Sequence, residues 1–380
     1  MNIGVLRESS RLEHRVALTP PVVRSLFDQG RSLWIQSGAG EGAMFSDDDY
    51  RRAGANIAYS AVEVIGRCEL IVKISLPSLE ELDLCTGEQV VMAFYHMAVE
   101  GPNIFQRLLD HRVTAVGYEM IRTDDGGLPV LAAVSEIAGQ MTLPLAAHLL
   151  RRSAGGRGIL LGGSSAAPPA HVVVLGAGVV GTWAARAAAA SGARVTVLDI
   201  DAQKLRRLRE QAPAIATALA ESESVAQAVT SADVVIGAVL VAGSRTPHIV
   251  TRELVRGMKP GSVIIDVAID QGGCVETSRP TTLEDPTFVA EGVLHYCVPN
   301  LTSDMSLSAS VGIAHALLPY LAQIADHGLE RTLKDCPAFA KGVYTYHGEC
   351  VSREMALIQH CAWRPLADLL AVTKAPLPVG

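Results

Sequence analysis

The apolar run Val172-Val173-Val174-Leu175 feeds directly into Gly176-Ala177-Gly178-Val179-Val180-Gly181, a G-x-G-x-x-G turn. Such a turn sets backbone N–H groups and the positive end of a helix against a pyrophosphate. Gly176 permits the tight turn, Gly178 lets the backbone approach the phosphates, and Gly181 lets helix and strand pack closely. A second apolar strand, 195–198, ends in Asp199, where an acid accepts both hydroxyls of a ribose. Strand before, helix after and acid at the next strand's tip together specify dinucleotide binding. Asp199 would repel a 2′-phosphate, so NAD is expected over NADP, although Arg206 and Arg207 stand close enough in sequence to bend that preference.

Two further residues close apolar runs. His96 follows 90–95, and Asp270 follows 263–269. Parallel α/β sheets collect functional groups at the carboxyl ends of their strands, and an imidazole titrates near neutral pH. The plainer reading makes His96 a satisfied structural residue and Asp270 a turn cap.

Positioning these residues takes more than one core, since 380 residues exceed what a single core usually supports. The formal charge of −7, with no basic run, argues against nucleic acid or an anionic membrane as partner and favours a small-molecule substrate. The start of the chain has no long apolar region and no cleavage site, and no stretch reaches transmembrane length without a charge or a Gly/Pro cluster. The seven scattered cysteines form no C-x-x-C pair and read as reduced thiols in a cytoplasmic protein.

Strand-like pieces at 3–6, 32–37, 69–74, 90–96 and 114–119 alternate with helical ones at 21–29 and 46–53, the signature of a parallel sheet. Thr19 with Pro20, and Ser46 before three aspartates, suit helix starts. A long helix is predicted from about 135 to 152, with a kink at Pro144, followed by a Gly/Ser/Pro-rich linker through 169. Further strands are predicted at 233–239 and 262–268. A helix is predicted over 305–325, where Leu307, Val311, Ala314, Leu318 and Leu321 recur at alternating four- and three-residue steps. The tail to 380 offers helical and turn pieces but no new sheet, and is expected to return to the first domain. The expected architecture is α/β with two doubly wound domains: a Rossmann NAD-binding domain over 139–304, and a discontinuous flavodoxin-like catalytic domain over 1–138 and 305–380.

Several long motifs occur in order: Arg15-Val16-Ala17-Leu18-Thr19-Pro20, Ser37-Gly38-Ala39-Gly40-Glu41-Gly42, Ser135-Glu136-Ile137-Ala138-Gly139, Gly155-Gly156-Arg157-Gly158, Asp266-Val267-Ala268-Ile269-Asp270-Gln271-Gly272-Gly273-Cys274, Thr277-Ser278-Arg279-Pro280-Thr281-Thr282 and His295-Tyr296-Cys297-Val298-Pro299-Asn300. Together they resemble the alanine dehydrogenase family, which shares its fold with the nicotinamide nucleotide transhydrogenase α subunit. The resemblance runs through most of the chain and thins after residue 300. It implies reversible NAD-dependent oxidative deamination of a small L-amino acid to a 2-oxo acid and ammonium. It casts His96 and Asp270 as catalytic residues and Arg15, Ser75 and Asn300 as substrate-binding ones. Beyond the glycines and Asp199, it carries cofactor contacts onto Ser135, Val179, Val180, Lys204, Val239, Leu240, Val267, Ala268, Ile269, Arg279, Val298 and Leu301. A homo-oligomer is expected, a hexamer being the family's usual form, with neither nucleic acid nor membrane as partner and no metal. Glu119 and His327 match positions that hold a divalent cation in some relatives, too few ligands to expect one here.

The chain departs from the family chiefly on the substrate side. Lys73-Ile74-Ser75-Leu76-Pro77 puts Ser75 where a Lys-Val-Lys-Glu-Pro segment has its carboxylate-binding second lysine, and Lys73, on the same strand face about 7 Å back, is the residue that would have to compensate. Phe94 replaces a tyrosine, and Ala220 a serine that touches the adenosine. Leu301-Thr302-Ser303-Asp304-Met305-Ser306-Leu307-Ser308 replaces a Met-Pro-Gly-Ala-Val-Pro-Arg-Thr-like segment. The dinucleotide side is nearly intact, which suggests a changed substrate. Two alternatives stand beside the amino-acid dehydrogenase: an imine reductase or dehydrogenase on a pathway-specific amino or imino acid, and a non-catalytic NAD-binding subunit or sensor.

Overall fold

The structure, a computed structural model, describes residues 1–372 apart from Glu88, Glu100 and Ala242. It divides into two compact units, Met1–Ala133 with Met305–Gly380, and Val134–Asp304. The first division falls inside a helix, Pro129–Leu149, and the glycine-rich stretch 153–169 belongs to the second unit. That helix begins six residues before the predicted start and runs on through Pro144.

The first unit is built on an eight-stranded sheet. Its strands are β1 (Asn2–Val5), β2 (Ser32–Gln36), β3 (Asn56–Ala58), β4 (Leu70–Ser75), β5 (Val90–Phe94) and β6 (Thr114–Gly117). They run parallel in the order β3-β2-β1-β4-β5-β6. The series β2-β1-β4-β5-β6 is the flavodoxin-like winding, and the short β3 extends it at one edge. Every residue of β5, and all of β4 but Ser75, is buried, as expected of strands covered on both faces. Each fully buried aliphatic side chain there contributes about 1.5–3 kcal/mol.

The second unit holds seven strands: β7 (His171–Leu175), β8 (Arg194–Asp199), β9 (Ala216–Leu219), β10 (Val234–Gly237), β11 (Val263–Asp266), β12 (Thr287–Ala290) and β13 (Val293–Tyr296). Six run parallel in the order β9-β8-β7-β10-β11-β13, the Rossmann winding, and β12 closes the edge antiparallel to β13.

The tail returns to the first unit and its described residues form no new sheet, but they are not only helix and turn. Two strands, β14 (Val343–Tyr346) and β15 (Glu349–Cys350), extend the first sheet, β14 pairing antiparallel to β6. Strands of four and two residues, the first recruited by a partner over two hundred residues away, leave no local periodicity to read. The late helix is observed at Ser306–His327, and of the five recurring residues Ala314 and Leu321 are buried. The side buried is Ala309, Ser310, Ile313, Ala314, Leu317, Tyr320, Leu321 and Ile324, while Leu307 and Val311 face solvent. The helix carries two apolar stripes, and spacing alone does not say which meets the core. At Ser46 the expected cap is a full capping box with Asp49, whereas Thr19 sits at its predicted position without a side-chain cap bond. The seven cysteines are free thiols, five of them buried.

Candidate active site

In both sheets the chain reverses its direction of winding at one place, between β1 and β4 in the first and between β7 and β10 in the second. Ligands of open α/β sheets bind beyond the carboxyl ends of the strands at such points.

At the first reversal, Glu8 follows β1 and reaches across to the end of β4. Its Oε1 accepts the Ile74 N–H at 2.7 Å and its Oε2 the Ser75 N–H at 3.2 Å. Glu8 is partly exposed as a residue, yet its carboxyl is enclosed by the chain around it. Burial pushes it up to about 7, against the opposing pull of Lys73 and of the two amides. Beside it Arg15 is buried and held by Glu13 through two charge-assisted bonds, Nε to Oε1 at 2.7 Å and Nη2 to Oε2 at 2.5 Å. Ser75 Oγ lies 3.4 Å from the same Glu13 Oε2. Glu8, Glu13 and Arg15 line a cavity of about 190 Å³, with the exposed Arg7, Arg11 and Glu41 at its rim. Lys73 does not stand in for the missing lysine. It is fully buried, and its Nζ donates to both oxygens of Glu81, at 2.9 and 2.7 Å.

His96 lies two residues past β5, whose last residue, Phe94, is in register with Ser75. Strand pairing stops there because Glu119, just beyond β6, takes the next backbone donors: its Oε1 accepts the N–H groups of Tyr95 at 3.2 Å and of His96 at 2.9 Å. The same oxygen accepts the Tyr344 hydroxyl of β14 at 2.8 Å. His96 adopts φ 47°, a left-handed conformation that costs a non-glycine residue about 1 kcal/mol or more and persists only where neighbours impose it. Its ring stacks on Phe94, centroids 5.8 Å apart and planes 9° off parallel. Glu119, which matched a cation position by resemblance, is thus committed to backbone and hydroxyl donors. Among the described residues no three His, Cys, Asp or Glu side chains group as a metal site.

The second reversal holds the glycine turn. Gly176 has φ 105°, and a Cβ there would come 2.5 Å from the Ala238 carbonyl at the end of β10. A Cβ on Gly181 would lie 1.8 Å from the Gly176 carbonyl, so helix and turn close only around a glycine. Gly178, the N-cap of the helix Val179–Ala190, instead faces open space, leaving room for a ligand against the backbone. Gly139, in the motif that contains Ser135, lets the helix Pro129–Leu149 press on the Val180 carbonyl and Trp183. Asp199 ends β8 as predicted. Its Oδ2 accepts the Ala177 N–H at 2.6 Å and its Oδ1 the Asp201 N–H at 2.8 Å, tying the acid to the glycine turn. Around these groups, at the carboxyl ends of β7 to β10, exposed apolar side chains collect: Val179, Ile200, Leu219 and Leu240. Phosphate-facing amides, an acid at ribose position and apolar flanks fit a dinucleotide.

The run 263–269 is not one strand. β11 ends at Asp266, and a single 3₁₀ segment, Val267–Gln271, carries Asp270. Asp266, buried with its carboxyl raised by that burial, accepts the Cys274 N–H at 3.0 Å and the Val275 N–H at 3.2 Å and pulls the chain back through Gly272 and Gly273, both at positive φ. Asp270 and Asn300 are brought together, the Asn300 N–H donating to Asp270 Oδ1 at 2.8 Å.

The remaining residues vary. Lys204 is exposed on the helix Ala202–Gln211, and Ser135, Val180, Val239 and Val267 are half-buried. Ala268, Ile269, Val298 and Leu301 are buried, the last two within the unit's core, so their backbone is what a ligand can meet. The exposed Arg279 lies over the Phe288 ring of β12, 4.3 Å from its centroid. Sequence reasoning missed Glu8, Glu13 and Asp266. The first two stand in the charged loop before Arg15, a signal that existed, but the partners of Glu8 lie in β4, over sixty residues on.

The chain matches two family models, the alanine dehydrogenase/PNT N-terminal domain over residues 4–138 and the C-terminal domain over residues 142–353. It is 41% identical to an alanine dehydrogenase of Halomonas elongata over 94% of this chain and 96% of that one. Its structure is similar to an L-alanine dehydrogenase, with a TM-score of 0.88 at 38% identity over 94% of this chain and 99% of the other. It is also similar to a transhydrogenase from Sinorhizobium meliloti, with a TM-score of 0.77 at 25% identity over 93% and 99%.

Proposed function

The chain belongs to the alanine dehydrogenase/PNT family, and from that premise we propose that it is an NAD-dependent amino-acid dehydrogenase, converting a small L-amino acid to its 2-oxo acid and ammonium and running in either direction. The observation that carries this reading is the pairing of a complete dinucleotide turn, closed by Asp199, with the buried Glu13–Arg15 pair at the other sheet's reversal. Gly176, Gly178, Gly181 and Asp199 would hold the dinucleotide, with Val179 and Leu240 as its apolar flanks. A bound nicotinamide would supply the acceptor for the hydride that leaves the amino acid's Cα.

The chain's own residues do the rest. Arg15, oriented by Glu13, grips the substrate carboxylate. The His96 ring takes the proton released as water adds to the imino carbon, and returns it in the reverse direction. Asp270 steadies ammonium or the attacking water, and its bond from the Asn300 backbone fixes the turn that presents it. His96 belongs to the first unit and Asp270 to the second. We further propose a cytoplasmic homo-oligomer, its association served by apolar side chains exposed on the helix Ser306–His327.

The test is NADH formation followed by absorbance with a panel of L-amino acids, and NADH consumption with 2-oxo acids plus ammonium. Turnover is expected, and His96→Ala should lower kcat by about 10²–10⁴ while NADH binding stays close to that of the parent. NADH binding without turnover of any substrate would favour the sensor instead.

A further inference from the structure

Resting on the dehydrogenase reading, we infer that the substrate carries a second amino group on its side chain, and that Glu8, exposed to it by Ser75, is the residue that selects for it. The argument is one of charge and room. At the first sheet's reversal Arg15 is cancelled by Glu13, and the buried Lys73 by Glu81. A lysine at position 75, as the family has it, would stand beside both Glu8 and Glu13 and offer each a countercharge. Serine offers one neutral hydroxyl, 3.4 Å from Glu13. Among the described residues Glu8 therefore receives two backbone N–H groups, and the cation whose charge reaches it, Lys73, is already paired with Glu81.

An enclosed carboxyl in that situation is satisfied best by a ligand that brings the cation with it. The cavity that Glu8 lines with Glu13 and Arg15, about 190 Å³, has space for a few heavy atoms beyond alanine. The exposed arginines at its rim, Arg7 and Arg11, leave the enclosed wall acidic but for the paired Arg15. A substrate α-carboxylate on Arg15 then leaves a side-chain ammonium within the reach of Glu8. L-2,4-diaminobutyrate has these features, and L-2-aminovalerate (norvaline) matches its length without the charge.

The experiment compares kcat/KM for those two amino acids and for L-alanine in the intact enzyme, in Glu8→Gln and in Ser75→Lys, with NADH binding as the check that each variant is folded. The parent is expected to prefer the diamino acid over norvaline by about tenfold or more. Glu8→Gln should bring that ratio near one, and Ser75→Lys should invert it. Equal or better use of norvaline by the parent, alongside measurable turnover of alanine, overturns this inference and leaves the dehydrogenase reading standing. A ratio that survives Glu8→Gln also overturns it. An enzyme that binds NADH and turns over no amino acid overturns both.

Discussion

Glu8 shows how a single carboxyl can be chemically important and unreadable in advance. Its neighbours in sequence, Arg7 and Ser9, do not determine it. Ile74 and Ser75 do, and only the pairing of β1 with β4 brings them within reach. Burial lifts its pKa from 4.5 to about 7, against the pull of Lys73 and with a small push from Glu13. The folded chain therefore keeps a proton that the unfolded chain gives up near 4.5, and this group's contribution to stability falls as pH rises from there to about 7. One pKa unit corresponds to about 1.4 kcal/mol, so the loss is at most about 3.5 kcal/mol. Glu8→Gln removes the titration. Denaturant midpoints of parent and variant, measured at about pH 5 and pH 8, should move in the variant's favour with rising pH, and a difference that stays flat would mean that Glu8 ionises as freely as an exposed carboxylate. By contrast, the glycine turn and Asp199 were legible from sequence. Their requirements are steric and local: a Cβ at Gly181 has nowhere to go, and Asp199 sits where β8 ends.

At the scale of elements, the legible parts were those with their own periodicity or caps. β4, β5, β7 and the helix from Val179 to Ala190 follow from runs of apolar residues and from the glycine that starts the helix. What stayed hidden depends on distant pairing. Tyr344 is the clearest case, since the tail strand β14 joins β6 and delivers a hydroxyl to Glu119, which in turn fixes the backbone of His96. This chain of contacts makes Glu119 a positioning residue. Glu119→Gln replaces an acceptor oxygen with an NH₂ that faces N–H donors, and charge-assisted bonds of this kind are worth about 1.5–3 kcal/mol each. We expect kcat to fall by about tenfold or more, with Tyr344→Phe falling less, while NADH affinity is unaffected because the dinucleotide turn belongs to the other unit. Steady-state kinetics with an NADH titration check this, and a kcat equal to the parent's in Glu119→Gln would show that His96 holds its left-handed backbone without the anchor.

Across the whole molecule, each unit's sheet reverses its winding once, and Arg15 and His96 belong to the first unit, Asp199 and Asp270 to the second. Alternation of strands and helices was enough to foresee both sheets, yet it could not say which face of the helix Ser306–His327 turns inward. The answer bears on assembly. Leu307 and Val311, four residues apart on the outward side, are 46% and 39% exposed, and Met305 beside them is 45% exposed. Apolar side chains grouped in this way on a helix mark a surface meant to be covered. We expect the protein to sediment as a multiple of its 40.1 kDa chain. Leu307→Lys combined with Val311→Glu sets two desolvation costs into any contact made there, so the double variant should sediment as a single chain. Leu307 and Val311 lie outside the buried side of the helix, so the variant's thermal unfolding should still be cooperative. A double variant that keeps the parent's mass would move the interface off this helix, and a parent that sediments as one chain would leave the stripe without a partner copy.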